Sequence, residues 1–244
     1  MNGAGLIPPD SAPPTPPGAL LSAGANADVF AVDEDVVLRR YRTARDTSDE
    51  VTLLRHVVEN GFPAPAVVRA DGTDLIMERL HGPTLLQALA AGEVTLPDAA
   101  ATLVDLHARL HAIPAPPGWA DRPGGGPVVV HLGLHPANVI LSEVHGPAVV
   151  DWADARTGTA ALDVALTALV LAEVAVDAGG VYSQAARALL VAFLAASDVN
   201  PQPALAEAVA VRSRQGSLVP GERELVPAAA ELVLQILDLA SPAA

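Results

Sequence analysis

His131-Leu-Gly-Leu-His-Pro-Ala-Asn138, followed thirteen residues later by Asp151-Trp152, decides how this chain is read. Between the two lie Val139-Ile140-Leu141 and Ala148-Val149-Val150, short runs of strand formers that predict a hairpin. Asn138 and Asp151 sit at its two ends, so the hairpin brings an amide oxygen and a carboxylate together. Those are hard-oxygen donors, and Mg2+ takes one or two such groups beside phosphate oxygens.

Around this hairpin the pattern changes along the chain. Leu20 to Tyr41 reads as strands, with a turn at Asp33-Glu34-Asp35. Thr47 to Asn60 reads as a helix, since Val51, Leu54 and Val58 share a face and Gly61 can end it. Ala66 to Ala70 and Asp74 to Glu78 read as two strands joined by Asp71-Gly72. After Gly82 helices take over, over Leu85–Ala91 and Pro97–His111, then a Pro- and Gly-rich loop, then a short buried strand at Val128–Val130. From Ala161 onward the pattern is helical, with breaks near Asn200-Pro201 and Pro220-Gly221. Strands with one helix first and helices afterwards predict an α+β protein with two lobes and a cleft between them. A Pro-rich leader is expected at 1–18, an antiparallel-sheet N-terminal lobe at 19–80 and a mostly helical C-terminal lobe at 81–244, hinged near Met77 to Gly82.

In order and spacing, the segment from His131 to Trp152 resembles the catalytic loop and metal-binding segment of the aminoglycoside phosphotransferase and choline kinase family, relatives of the protein kinases. The resemblance implies a protein-kinase-like fold, ATP or another nucleoside triphosphate as phosphoryl donor, and Mg2+ held by Asn138 and Asp151. It implies that His131 braces the loop, and that Asp163, in Leu162-Asp163-Val164-Ala165, caps the loop's backbone amides. One residue departs from the family. Where the loop reads His-x-Asp-x-x-x-x-Asn, this chain has Gly133 in place of the Asp that orients the acceptor hydroxyl.

The N-terminal half carries further matches. Ser22 to Phe30, with Gly24, resembles the phosphate-covering loop. Val37 and Arg39 point the same way by strand alternation. The resemblance puts Val37 against adenine and Arg39 at the phosphate-pairing position; a solvated strand-edge charge is the alternative for Arg39. No Lys is present and all fourteen basic residues are Arg, so this work falls to a guanidinium fork or is absent. Glu50 resembles the helix glutamate that pairs with that cation, and equally is the N3 residue of a capping box opened by Thr47. Leu75 to Leu80 resembles the hinge strand, where backbone groups of Glu78 and Leu80 would meet adenine.

Composition narrows the partners. The chain is 51% hydrophobic but 3% aromatic, so its core is aliphatic. A net charge of −14 argues against a nucleic-acid-binding surface; it would draw a cationic small molecule, or serve simply to keep the protein in solution. The absence of cysteine excludes disulfides and thiolate metal sites. The apolar run Ala160 to Ala178 is interrupted by Asp163, Glu173 and Asp177, which predicts a buried helix over a membrane span. A cytoplasmic location is expected. Glu207, Glu222, Glu224 and Glu231 could recognise amines or simply face solvent; Arg212 and Arg214 could contact anions or be surface charges. The expected function is ATP-dependent O-phosphorylation of a small, hydroxyl-bearing, cationic substrate, weakened or lost at Gly133. The alternative is a nucleotide-binding pseudokinase in a regulatory or binding role.

Overall fold

Alternating apolar residues build the first layer. Strands β1 (Leu20–Ala23), β2 (Ala27–Ala31) and β3 (Val36–Tyr41) run antiparallel, and β4 (Val67–Asp71) and β5 (Asp74–Glu78) extend them in the order β1-β2-β3-β5-β4. Val37 faces Met77 and Arg39 faces Leu75 across β3 and β5, so Val37, Arg39 and Tyr41 share one surface of the sheet. The computed structural model describes residues 18–177, 181–215, 218 and 221–240; the Pro-rich stretch at 1–17 lies outside the described residues.

Helix α1 (Ser48–Glu59) covers that surface and ends where Gly61 takes φ +79°. Its start differs from the expected capping box. The Thr47 side chain makes no cap hydrogen bond, and the Ser48 N–H goes to the Asp46 carboxylate at 2.9 Å. Glu50 is thereby free to turn into the protein. Leu53, Leu54 and Val57 of the same helix enter the main core beside Trp152 and the later helices.

Helices α2 (Leu85–Ala91) and α3 (Leu96–His111) follow, and α2 opens with a capping box between Thr84 and Gln87. Strand β6 (Val128–Val130) precedes the loop quoted above, and a 3-10 turn at Pro136–Asn138 leads into the hairpin β7 (Val139–Ser142) and β8 (Gly146–Val149). Strand β9 (Arg156–Gly158), unforeseen in the sequence, pairs with β6.

Helix α4 (Ala160–Val176) is the centre of the second half. Every residue from Leu162 to Leu169 is buried, which is the signature of a core helix surrounded on all sides. Around it pack α5 (Val181–Ala196), α6 (Leu205–Arg212) and α7 (Glu222–Ala240). No helix among the described residues is long and apolar enough to cross a membrane. The result is a two-lobed mixed architecture, a small antiparallel sheet with one helix beside a helical half.

Candidate functional site

The loop after β6 is held from behind. Asp163, fully buried on α4, accepts the Leu132 N–H at 2.7 Å and the His131 N–H at 3.1 Å. His111 Nε2 lies 2.9 Å from the same carboxylate, and His107 Nδ1 lies at 3.6 Å. Burial alone would raise the Asp163 carboxyl, but the nearby His107 imidazole and the hydrogen bond from His111 hold it well below the ordinary carboxylate range. This anchor sustains strain: Leu132 takes φ +61°, a region that L residues avoid at a cost of about 1–3 kcal/mol. His131 Nε2 meets the Val150 carbonyl at 3.1 Å, and its ring packs edge-on against the buried Trp152. His131 therefore ties the loop to the end of the hairpin.

Asn138 and Asp151 stand at the two mouths of that hairpin. The Asn138 amide nitrogen donates to the Gly133 carbonyl at 2.9 Å and lies 3.3 Å from His135 Nε2. Both amide hydrogens are thus turned inward, and Oδ1 is the atom left for a ligand. Asp151 takes φ +68°, and its side chain is half exposed. An amide oxygen and a carboxylate fit a hard divalent cation such as Mg2+. Burial pushes the His135 imidazole down to about 4, so the ring is neutral at neutral pH.

Arg39 reaches this pair from the sheet. One arm of its guanidinium bonds Glu50 Oε1 at 3.1 Å and the other bonds Asp151 Oδ1. Tyr41, which sequence reading passed over, donates its hydroxyl to Glu50 Oε2 at 2.6 Å. Burial raises the Glu50 carboxyl above its ordinary value, and Arg39 and Tyr41 offset part of that. Of the two readings of Glu50, the structure selects the cation partner, because a buried carboxylate must be paired and a helix start can be served by Asp46 instead.

Two cavities meet here. The larger, of about 490 Å³, lies beneath the β1–β2 turn and against the hinge. Gly24, Arg39, Glu50, Glu78, Leu80, Asn138 and Asp151 all line it, together with Val37 and Met77. That volume is in the range of sites for small ligands. The Glu78 N–H is taken by the Ala66 carbonyl at 2.8 Å, whereas no hydrogen bond among the described residues engages the Leu80 N–H. The smaller cavity, of about 80 Å³, is lined by His131, Gly133, His135 and Asp154, with Arg212 and Gln215 from the helical half. Asn26, Asn138 and Asp151 belong to both cavities.

Gly133 is not required by the backbone. A Cβ placed on it would sit 3.7 Å from His131 Nδ1 and 3.8 Å from Asn138 Nδ2, ordinary contact distances. The loop therefore has room for the first carbon of a side chain at this position. Arg212 is turned inward: it forms a bidentate pair with the buried Glu173, at 2.8–3.1 Å, and donates to Gln215 Oε1 at 2.9 Å. Arg214, Glu207, Glu224 and Glu231 are exposed and line neither cavity. His107, His111 and Gln215 gave no signal in the sequence beyond their identity, and Asp154 gave only its nearness to the catalytic segment, with no geometry to make it a base.

Comparison with known proteins agrees with this fold. The profile of the phosphotransferase enzyme family matches residues 18–126 and 118–207. No curated protein matches the sequence. Among solved structures, aminoglycoside phosphotransferase APH(4)-Ia superposes with a TM-score of 0.56 at 18% identity, over 92% of this chain and 94% of that one. The streptomycin–ATP ternary complex of APH(2")-IIa gives 0.52 at 17% identity, over 88% and 92%. A choline/ethanolamine kinase family protein from Mesorhizobium loti gives 0.51 at 15%, over 94% and 83%. At these identities the likeness speaks for the fold.

Proposed function

The chain belongs to the phosphotransferase enzyme family, and on that footing we propose that it transfers the γ-phosphoryl group of ATP to a hydroxyl of a small cationic molecule, with turnover slowed by Gly133. The observation that carries this reading is the sharing of Asn138 and Asp151 by the two cavities. A phosphoryl donor in the larger cavity and an acceptor in the smaller one would meet at those two residues.

The assigned roles follow from position. Residues 19–80 form the nucleotide lobe, and 81–244 carry the catalytic loop and the acceptor region. The backbone of the turn containing Gly24 covers the phosphates, and backbone groups of Glu78 and Leu80 meet the adenine. Arg39 holds the α- and β-phosphates while Glu50 keeps it aimed; its present bond to Asp151 must then be exchanged for phosphate oxygens. When Mg2+ is bound, Asn138 Oδ1 and Asp151 would hold it, and it would supply charge neutralisation across the phosphates. His131 positions the loop. Structures of relatives with gentamicin and with hygromycin B put aminoglycosides first among acceptors to try, and choline and ethanolamine next. The net charge of −14 favours such cations. The cytoplasm, where ATP is made available, is the proposed location.

One observation favours a second reading, a nucleotide-binding pseudokinase: Gly133 offers no group to orient the acceptor. A single pair of measurements separates the two. Melting of the purified protein is followed with and without MgATP, and ADP release is followed with gentamicin, hygromycin B, choline or ethanolamine added. A melting shift with acceptor-dependent ADP release supports the enzyme. A melting shift without release supports the pseudokinase. Absence of any shift sinks both.

A further inference from the structure

The Gly133 position shares its cavity with a carboxylate, that of Asp154. Gln215 Nε2 donates to Asp154 Oδ2 at 3.1 Å and, more weakly, to the Leu132 carbonyl at 3.4 Å, the residue before Gly133. One amide nitrogen thus pins the Asp154 side chain to the catalytic loop. The amide itself is oriented, because its oxygen accepts from Arg212 Nη1 at 2.9 Å and Arg212 is locked on Glu173. The chain Glu173–Arg212–Gln215–Asp154 runs from the core of the helical half to the smaller cavity.

Resting on the phosphotransferase reading, we propose that Asp154 accepts the proton of the acceptor hydroxyl, in place of the carboxylate missing at Gly133. Each of the other titratable groups lining that cavity is engaged by a protein partner through at least one atom. His135 Nε2 lies against the Asn138 amide at 3.3 Å. His131 Nε2 is engaged by Val150, and its Nδ1 is buried. Asp151 is bound to Arg39 and is assigned to Mg2+. Asp154 is exposed at the cavity, and its Oδ1 has no hydrogen bond among the described residues. In the step, the acceptor oxygen forms a bond to the γ-phosphorus and the bond from that phosphorus to the β–γ bridging oxygen breaks. ADP leaves with the electron pair. The hydroxyl proton passes to Asp154 Oδ1 and then to solvent.

The test is a two-by-two set of full-length proteins: wild type, D154N, G133D and the double variant. Each is assayed for ADP release with gentamicin, hygromycin B, choline and ethanolamine, and for melting with MgATP. D154N is expected to lower kcat by about 10²-fold with the KM for MgATP unchanged, the low end for a positioned base. That loss should disappear in the G133D background, where a carboxylate on the loop takes over. D154E should recover part of the activity, and Q215L, which frees Asp154 without touching it, should lose part. Equal kcat for wild type and D154N overturns the inference and leaves the phosphotransferase standing. So does a D154N loss that persists undiminished beside G133D, since Asp154 is then only structural. A wild type that is stabilised by MgATP yet inert with all four acceptors also overturns it. Absence of MgATP stabilisation removes the underlying reading itself.

Discussion

The two cavities on either side of Asn138 and Asp151 are furnished unequally. On the nucleotide side, the elements of a phosphate site are present and mutually braced: Arg39 is clamped by Glu50, and Glu50 by Tyr41. On the acceptor side, the loop is held as firmly, by Asp163 and His131, but its central side chain is absent. The difference teaches that the scaffold of a catalytic loop and its reacting group are separable. The strained Leu132 and the buried anchor persist although the carboxylate they would aim is not there. Binding and turnover are therefore expected to respond to different substitutions.

The sharpest break is at the shared residue. Asp151→Ala removes a group common to both cavities, so kcat should fall by about 10³-fold, the scale of losing a key electrostatic partner. MgATP should no longer raise the melting temperature, while the apo protein, whose Asp151 is half exposed, should melt nearly as before.

Next in size is the anchor. Asp163→Asn leaves two histidines and two loop amides facing a neutral group, which should cost about 3 kcal/mol, or about 6–12 °C in melting temperature. The pH dependence has a definite sign. Asp163 titrates well below its unfolded value, so its contribution is complete above about pH 4 and is lost as the pH falls below that. Acid melting curves of wild type and D163N should therefore converge toward low pH. Curves that stay parallel would remove Asp163 as a charged anchor.

Gly133→Asp addresses the acceptor side alone. With space for a Cβ and no positive φ to oppose it, the change should fold normally and raise kcat by about 10²-fold. The MgATP melting shift should not move, and a changed shift would mean that the two sides are coupled.

The smallest effect belongs to Tyr41→Phe. Its loss of the hydroxyl bond to Glu50 should cost about 1 kcal/mol by thermal melting. Arg39 continues to hold Glu50, so MgATP binding should survive.

The capping boxes show why part of the site was legible and part was not. Thr47 to Glu50 and Thr84 to Gln87 carry the same spacing, yet only the second closes as a box. At α2 the Gln87 amide has no stronger partner than the Thr84 N–H. At α1 a part-buried guanidinium and a phenol compete for Glu50 and win. Likewise the strand alternation of Val37 and Arg39 revealed a shared face, but not that Arg39 spans from Glu50 to Asp151. Arg212 reads as an ordinary helix-end charge until α4 places Glu173 against it.

By itself, then, the sequence determined the elements and the loop. Strand and helix periodicity, the hairpin flanked by Asn138 and Asp151, and the glycine at 133 are local properties, set by the order of neighbouring residues. Tertiary structure alone decided the partners: Asp163 with His111, 52 positions away, and Gln215 with Asp154, 61 positions away. Such pairs depend on how α4 and α6 pack in a common core. A buried polar group takes whichever partner that packing brings within reach, and no periodicity along the chain encodes the choice.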